Sequence, residues 1–155
     1  MSEQEDNAGI VTHPPVFYIV AAIIGVGIDY LFPLSFGSNA MLGNAGIIIF
    51  VLGLIIALLS FKIFASNKQS PSVHASASKV YQSGVYAYSR NPIYFGIMLW
   101  LVAAALYFDN AWLLIVTVPL ILFMNKAVIE KEEAYLANKF GDDYLDYKKK
   151  VRRWI

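Results

Sequence analysis

Residues 42–65 read LGNAGIIIFVLGLIIALLSFKIFA, and the only charged residue among them is Lys62. A helix needs about 20 mostly apolar residues to cross the hydrocarbon core of a bilayer, so this stretch predicts a membrane-spanning helix. Its glycines, Gly43, Gly46 and Gly53, recur at spacings of three and seven. Small residues at such spacings let helices approach each other closely in lipid. The stretch therefore indicates an integral membrane protein.

Three more apolar runs accompany it, at about 15–34, 92–108 and 111–128. Overall the chain is 58% hydrophobic and 15% charged, whereas soluble domains are nearer half apolar and a quarter charged. The last two runs are separated by a short turn at Asp109 and Asn110, which is typical of a helical hairpin. We therefore expect an all-α integral membrane protein, a single domain with four transmembrane helices.

The remaining polar segments are a loop at 66–91 and a tail at 129–155. Apolar residues of the tail recur at steps of seven, four, four and seven, which predicts one face of amphipathic helices. They are Ile129, Leu136, Phe140, Tyr144 and Val151. Gly141 followed by Asp142 resembles a helix stop and a fresh helix start. We expect short amphipathic cytoplasmic helices on either side of this point.

Charge distribution predicts the topology. All twelve Lys and Arg residues lie in or beside the 66–91 loop and the tail, and the two other connections contain none. By the positive-inside rule, both termini and the long loop are cytoplasmic, which requires an even number of spans in the cytoplasmic (inner) membrane. The net charge of +1 gives no reason to expect a nucleic-acid partner, and the lack of cysteine excludes thiolate chemistry. We expect no metal site.

The stretch 83–96 has the features of a cofactor loop. Gly84 permits a positive φ, and Pro92 fits the first turn of a helix whose free amides favour an anion. Several side chains suit a cation, a planar ring or ribose hydroxyls. They are Tyr86, Tyr88, Tyr94, Glu132 and Glu133. A ligand with an anion, a cation and an aromatic ring matches S-adenosylmethionine, although such tyrosines are commonly interfacial and such glutamates commonly solvated.

The order of the motifs resembles one family, the isoprenylcysteine carboxyl methyltransferases and the broader group that includes the phospholipid N-methyltransferases. The motifs are SGVY at 83–86, SRNPIYFG at 89–96, EEAYL at 132–136, FGDDY at 140–144 and YKKKV at 147–151. The resemblance is dense from about Lys79 to Val151. It implies a membrane enzyme that transfers a methyl group from S-adenosylmethionine to a lipophilic acceptor.

The resemblance also implies which residues hold the cofactor. They are Ser78, Lys79, Val80, Tyr81, Gly84, Tyr86, Arg90, Asn91, Pro92, Ile93, Tyr94, Glu132 and Glu133. Asn91 stands where the family has histidine. Its amide can hydrogen-bond but cannot carry a proton at neutral pH.

The acceptor side is less defined. The carboxyl methyltransferases have an arginine at the position of Val128, so Lys126 is the nearest cation that could orient an acceptor carboxylate. A carboxylate acceptor needs no base, whereas an amine acceptor needs one, for which Glu130 and Glu133 are the candidates. Carboxyl O-methylation and headgroup N-methylation both stay open. The alternative of another class is a non-catalytic membrane protein that docks a partner or anionic lipid through Lys148–Arg153.

Overall fold

A computed structural model of the chain describes residues 8–10, 12–37, 39–70, 72 and 75–155. This part of the chain is helical and contains no strand, which confirms the all-α prediction. The six α-helices are α1 (Pro14–Leu31), α2 (Ala40–Ser66), α3 (Pro92–Tyr107), α4 (Ala111–Met124), α5 (Glu130–Phe140) and α6 (Asp142–Lys150). A 3₁₀ turn, Gly84–Ala87, interrupts the long loop.

Three helical segments are long and apolar enough to cross a bilayer: Pro14–Leu31, Ala40–Ser66 and the continuous Ala111–Phe140. The fourth apolar helix, α3, has 16 residues. At 1.5 Å per residue it is about 24 Å long, which is less than the roughly 30 Å of a hydrocarbon core. The chain is therefore a membrane protein with three helices of spanning length, and the fourth span stays a prediction.

Asparagine side chains cap the N-termini of two of the helices. The Oδ1 atom of Asn39 accepts a hydrogen bond from the Leu42 amide at 2.9 Å, and that of Asn110 accepts one from the Leu113 amide at 3.1 Å. Each bond satisfies an amide that the first turn of a helix leaves unpaired. Asn110 thus starts α4 directly after the turn that follows α3.

Glycines determine how closely α2 and α3 pack. A Cβ atom on Gly53 would lie 2.7 Å from the Gly96 carbonyl oxygen, and one on Gly46 would lie 2.8 Å from the Ala103 carbonyl oxygen. Any side chain at these positions would push the helices apart. Gly43, the third glycine of the same run, faces open space. On the other side of the bundle α1 packs against α4.

The two short connections meet at one end of the bundle. The Ala111 amide donates to the Leu34 carbonyl at 2.9 Å, and the Trp112 indole donates to the Phe32 carbonyl at 2.7 Å. The Asp109 carboxylate accepts from the Ser35 hydroxyl at 2.6 Å. The 66–91 loop and helices α5 and α6 consequently lie at the opposite end.

A π-helical turn, Asn125–Ile129, joins α4 to α5 without a break. The Glu130 amide donates to the Asn125 carbonyl, five residues back, as a π turn requires. Val128 and Ile129 are completely buried, so core packing holds the turn in place. The tail therefore begins as an extension of α4, and the chain first bends at Gly141, which has a φ of +55° and precedes α6.

Candidate functional site

A cavity opens where the 66–91 loop, the start of α3 and the faces of α5 and α6 meet, and it encloses about 950 Å³ including its open mouth. Of the cofactor residues predicted from the sequence, all but Ser78 and Gly84 line this cavity. Those that do are Lys79, Val80, Tyr81, Tyr86, Arg90, Asn91, Pro92, Ile93, Tyr94, Glu132 and Glu133. The structure thus brings together two segments that are about 40 residues apart in sequence.

Ser78 and Gly84 shape the loop from outside the cavity. Gly84 has a φ of +60°, and a Cβ atom there would lie 3.1 Å from Ile63 of α2. The Ser78 hydroxyl donates to Oε1 of Gln69, which also accepts from the Tyr81 hydroxyl at 2.9 Å. Gln69 lines the cavity, and the sequence analysis did not identify it.

Aromatic rings build one wall. The ring of Phe64, at the end of α2, lies 4.9 Å from that of Tyr81 and 6.1 Å from that of Tyr86. The hydroxyl of Tyr147 donates to the Tyr86 carbonyl at 2.7 Å, which ties α6 to the 3₁₀ turn. Tyr88, by contrast, is 77% exposed and does not line the cavity.

Glu132 faces the cavity from α5. Its Oε1 atom accepts a hydrogen bond of 2.7 Å from the Tyr94 hydroxyl, and no hydrogen bond to its second oxygen occurs among the described residues. Burial raises the pKa of Glu132 to about 7; the negative charge of Glu133 adds to this, and the bond from Tyr94 partly opposes it. Glu132 lies beyond the apolar part of its helix, which ends at Ile129.

Glu133, the next residue, is held by three cations. It is 4% exposed, and its carboxylate contacts Arg90 at 2.8 Å, Lys148 at 3.0 Å and Arg153 at 3.0 Å. Burial alone would raise its pKa, but the hydrogen bonds from Arg153 and Lys148 and the charge of Arg90 outweigh burial, so the pKa is lowered. We call these four residues the ionic clamp, since they join the loop, α5, α6 and the segment after α6.

The other predicted catalytic residues lie elsewhere. Lys126 and Glu130 form an exposed i,i+4 ion pair with an N–O distance of 3.0 Å, and neither lines the cavity. Val128, at the position of the family arginine, is completely buried. The structure therefore brings no charge from these three positions to the cavity.

Asn91 lines the cavity, but its side-chain amide forms a hydrogen bond with the C-terminal tail. Its Nδ2 atom donates to the Arg153 carbonyl at 3.0 Å. Arg153, like Gln69 and Tyr147, was not predicted as a site residue, because its partners are distant in sequence and no local motif signals them.

The donors and acceptors of the cavity fit S-adenosylmethionine. The Arg90 side chain is 8% exposed, and its Nε–H is buried without a hydrogen-bond partner in the described part of the chain. A ligand carboxylate would satisfy this orphan donor. The second oxygen of Glu132 offers an acceptor, and the rings of Tyr81 and Tyr86 offer faces for a planar group or a cation.

Comparisons with known proteins show the family of the chain. The family described as phospholipid methyltransferase matches residues 42–143. An uncharacterized protein of Haemophilus influenzae is 41% identical over 63 residues, which are 41% of this chain and all of that protein.

Two further relatives are named as methyltransferases. The protein-S-isoprenylcysteine O-methyltransferase of Schizosaccharomyces pombe is 39% identical over 69 residues, 44% of this chain and 29% of that enzyme. The mouse enzyme of the same name is 36% identical over 69 residues, 44% of this chain and 24% of that enzyme. The matched region thus spans less than a third of these enzymes. Because the family match itself covers more than half of the chain, this chain belongs to the phospholipid methyltransferase family.

Proposed function

We propose that the chain is an integral membrane methyltransferase that uses S-adenosylmethionine and methylates a lipophilic acceptor. The observation that carries the proposal is the hydrogen bond between Tyr94 and Glu132 on the wall of the cavity. It joins two motifs of the family resemblance, from α3 and α5, and it leaves one carboxylate oxygen available to a ligand. Family membership supports the same activity.

The residues of the cavity would bind and orient the cofactor. Glu132 would accept hydrogen bonds from its hydroxyl or amino groups, Arg90 would donate to its carboxylate, and Tyr81 and Tyr86 would contact its planar and cationic parts. When bound, S-adenosylmethionine supplies an electrophilic methyl group: an acceptor lone pair bonds to the methyl carbon while the carbon–sulfur bond breaks and its electrons stay on sulfur. The protein contributes alignment and exclusion of water.

The acceptor would reach the cavity from the bilayer. Pro92 and Ile93, in the first turn of the apolar helix α3, line the cavity together with Leu136 of α5. A lipid tail fits such surroundings, whereas its polar end would meet the charged loop. Because basic residues cluster at this end of the bundle, we propose that the cavity faces the cytoplasm, with four spans and both termini on that side.

A specific observation favours an amine acceptor as the second candidate within this class. Neither Val128, at the position of the family arginine, nor Lys126 brings a cation to the cavity: Val128 is buried, and Lys126 is 79% exposed and paired with Glu130. Among the described residues that line the cavity, Glu132 is, in contrast, the one carboxylate outside the clamp, and its pKa of about 7 suits a general base. N-methylation would thus assign proton removal to Glu132 rather than to Glu130 or Glu133.

The non-catalytic alternative has less support. It relies on the basic run Lys148–Arg153 as a docking surface. Two of these cations, Lys148 and Arg153, bind Glu133, and Lys149 pairs with Asp146 at 2.9 Å. Lys148 and Arg153, at least, therefore hold the tail in place through Glu133.

Isothermal calorimetry in detergent tests cofactor use. Wild-type protein and Glu130→Gln, which alters an exposed glutamate of the same helix, should bind S-adenosylmethionine alike. Glu132→Gln should bind about tenfold more weakly or worse, because a charge-assisted hydrogen bond contributes about 1.5–3 kcal/mol. Folded wild-type protein that binds no S-adenosylmethionine would overturn the proposal.

The acceptor class needs a second experiment. Membranes containing the protein are incubated with the radiolabelled methyl donor, and the labelled lipids are treated with alkali. A methyl ester releases volatile methanol, which indicates a carboxyl acceptor. Label that resists alkali indicates an amine.

A further inference from the structure

The segment after α6, residues 152–154, fastens the end of the cofactor loop. The Arg90 amide donates to the Arg152 carbonyl at 3.0 Å. The Arg153 carbonyl accepts from Nδ2 of Asn91 at 3.0 Å and from the Ser89 hydroxyl at 3.4 Å. We call this segment the strap. It binds the loop immediately before α3 begins.

The strap also holds the π turn. Oδ1 of Asn125, the first residue of that turn, accepts from the Trp154 indole at 3.1 Å and from the Arg153 guanidinium at 3.5 Å. The Trp154 ring packs against the apolar core, and the guanidinium of Arg153 bonds both oxygens of Glu133 at 3.0 Å. The strap therefore bridges the helix on both sides of the π turn.

That turn decides which face α5 presents to the cavity. A π turn inserts one extra residue, which rotates the following helix by about 100° relative to an uninterrupted α-helix. Without this rotation, Glu132 would no longer meet Tyr94. Whatever stabilises the turn consequently determines the direction of Glu132.

We propose that Arg153 and Trp154, neither of which lines the cavity, are positioning residues that hold Glu132 and the 89–91 loop end in the geometry that binds the cofactor. The inference rests on the proposed function for its binding readout. Its structural content, that the strap stabilises the π turn, is independent of any ligand.

The charges around the two glutamates make the pH dependence of binding a useful measurement, because a purely structural role of Arg153 would not change it. Glu133 faces Arg90 from the loop, Lys148 from α6 and Arg153 from the strap. Glu132 faces Glu133 along its own helix, Tyr94 from α3, Tyr86 from the loop and Tyr144 from α6. Without Arg153, the cations Arg90 and Lys148 still hold Glu133 in place, but they neutralise its negative charge less completely. Ionisation of Glu132 then becomes harder, which shifts the pH dependence of binding upward.

The test compares Arg153→Gln with Arg152→Gln in the full chain. Arg152 is a matched control, because its side chain is exposed and makes no hydrogen bond or ion pair within the described part of the chain. Calorimetry should show that Arg153→Gln binds S-adenosylmethionine about tenfold more weakly, as loss of a charged hydrogen bond predicts. The midpoint of the pH dependence of binding should move up. The unfolding temperature should fall only moderately below that of Arg152→Gln, because Arg90 and Lys148 still hold Glu133.

Trp154→Phe covers the case in which Arg153→Gln fails to fold, since it removes the indole N–H and one ring but keeps an aromatic side chain against the core. It should weaken binding by roughly two- to tenfold with only a small fall in the unfolding temperature. Hydrogen–deuterium exchange over residues 125–133 gives a ligand-free readout: exchange should accelerate in Arg153→Gln and not in Arg152→Gln. Equal exchange and equal affinity in the two arginine variants would overturn the proposal, as would unfolding of both strap variants. A wild-type protein that binds no cofactor refutes only the proposed function. The hydrogen–deuterium exchange of residues 125–133 then tests whether the strap stabilises the π turn.

Discussion

The cavity wall around Glu132 and the ionic clamp around Glu133 are adjacent on α5 and opposite in electrostatics. Glu132 accepts a hydrogen bond from a neutral tyrosine, and its pKa is raised to about 7. Glu133 contacts three cations, and its pKa is lowered. The difference shows that adjacent carboxylates on one helix can have separate uses. Glu132 keeps one oxygen available to a ligand, while Glu133 is fully paired with cations of the protein.

The largest effect is expected where the clamp is broken. Glu133→Ala leaves the buried Arg90 without its anion, and removing one partner of a buried ion pair costs about 3–5 kcal/mol. The unfolding temperature in detergent should fall sharply, and cofactor binding should be lost with it. Glu130→Ala is the comparison at a partly exposed glutamate of the same helix; it loses only the pair with Lys126 and a longer contact of 3.9 Å to Arg153, so it should lower the unfolding temperature only slightly. Wild-type stability of Glu133→Ala would mean that the clamp does not hold the tail.

Ionisation of Glu132 in the cavity wall should make both stability and cofactor affinity depend on pH. The clamp should not contribute to this dependence. Because the folded pKa of Glu132 lies above its ordinary 4.5, folding disfavours its charged form, and its contribution to stability falls as pH rises from about 4.5 to 7. Cofactor binding should have the opposite dependence, since a carboxylate accepts hydrogen bonds better than a carboxylic acid. Affinity should therefore increase about tenfold between pH 6 and 8, as titration of one group with a pKa near 7 requires.

Glu132→Gln is the control for this pH effect. The amino group of the cofactor itself titrates near 8 and contributes equally to both proteins. The difference between wild type and Glu132→Gln therefore isolates the carboxylate. Parallel pH profiles would show that ionisation of Glu132 plays no part in binding.

Tyr94→Phe should have a smaller effect that remains confined to the cavity wall. It deletes the hydroxyl that bonds Glu132 and keeps the ring, so affinity should fall by about 1 kcal/mol, or roughly fivefold. The unfolding temperature should change little, because the clamp is untouched. Tyr88→Phe, at a tyrosine that is 77% exposed, should bind the cofactor like wild type. A large loss of stability in Tyr94→Phe would erase the distinction between the two regions.

Local signals predict much of this molecule. Apolar runs and caps locate the helices, since a helix start such as Asn110 depends on one side chain and its own first turn. The family resemblance also predicts half of the residues that line the cavity, 11 of 22. These signals do not predict the π turn before α5, because that turn depends on burial of Val128 and Ile129 and on the strap. Gln69, Tyr147 and Arg153 were missed for the same reason: each acts through a partner that only tertiary structure brings near.

The smallest effect is expected at Lys126, outside both regions. Its side chain is 79% exposed and pairs with a Glu130 side chain that is 41% exposed, so the pair contributes about 0.5 kcal/mol or less. Lys126→Ala should therefore keep its unfolding temperature, its cofactor affinity and its rate of methyl transfer. The informative measurement is the Michaelis constant for the acceptor, compared with that of Lys131→Ala, another lysine of the same polar stretch. A raised constant in Lys126→Ala alone would mean that this lysine turns toward the acceptor during catalysis, as a substitute for the family arginine at Val128.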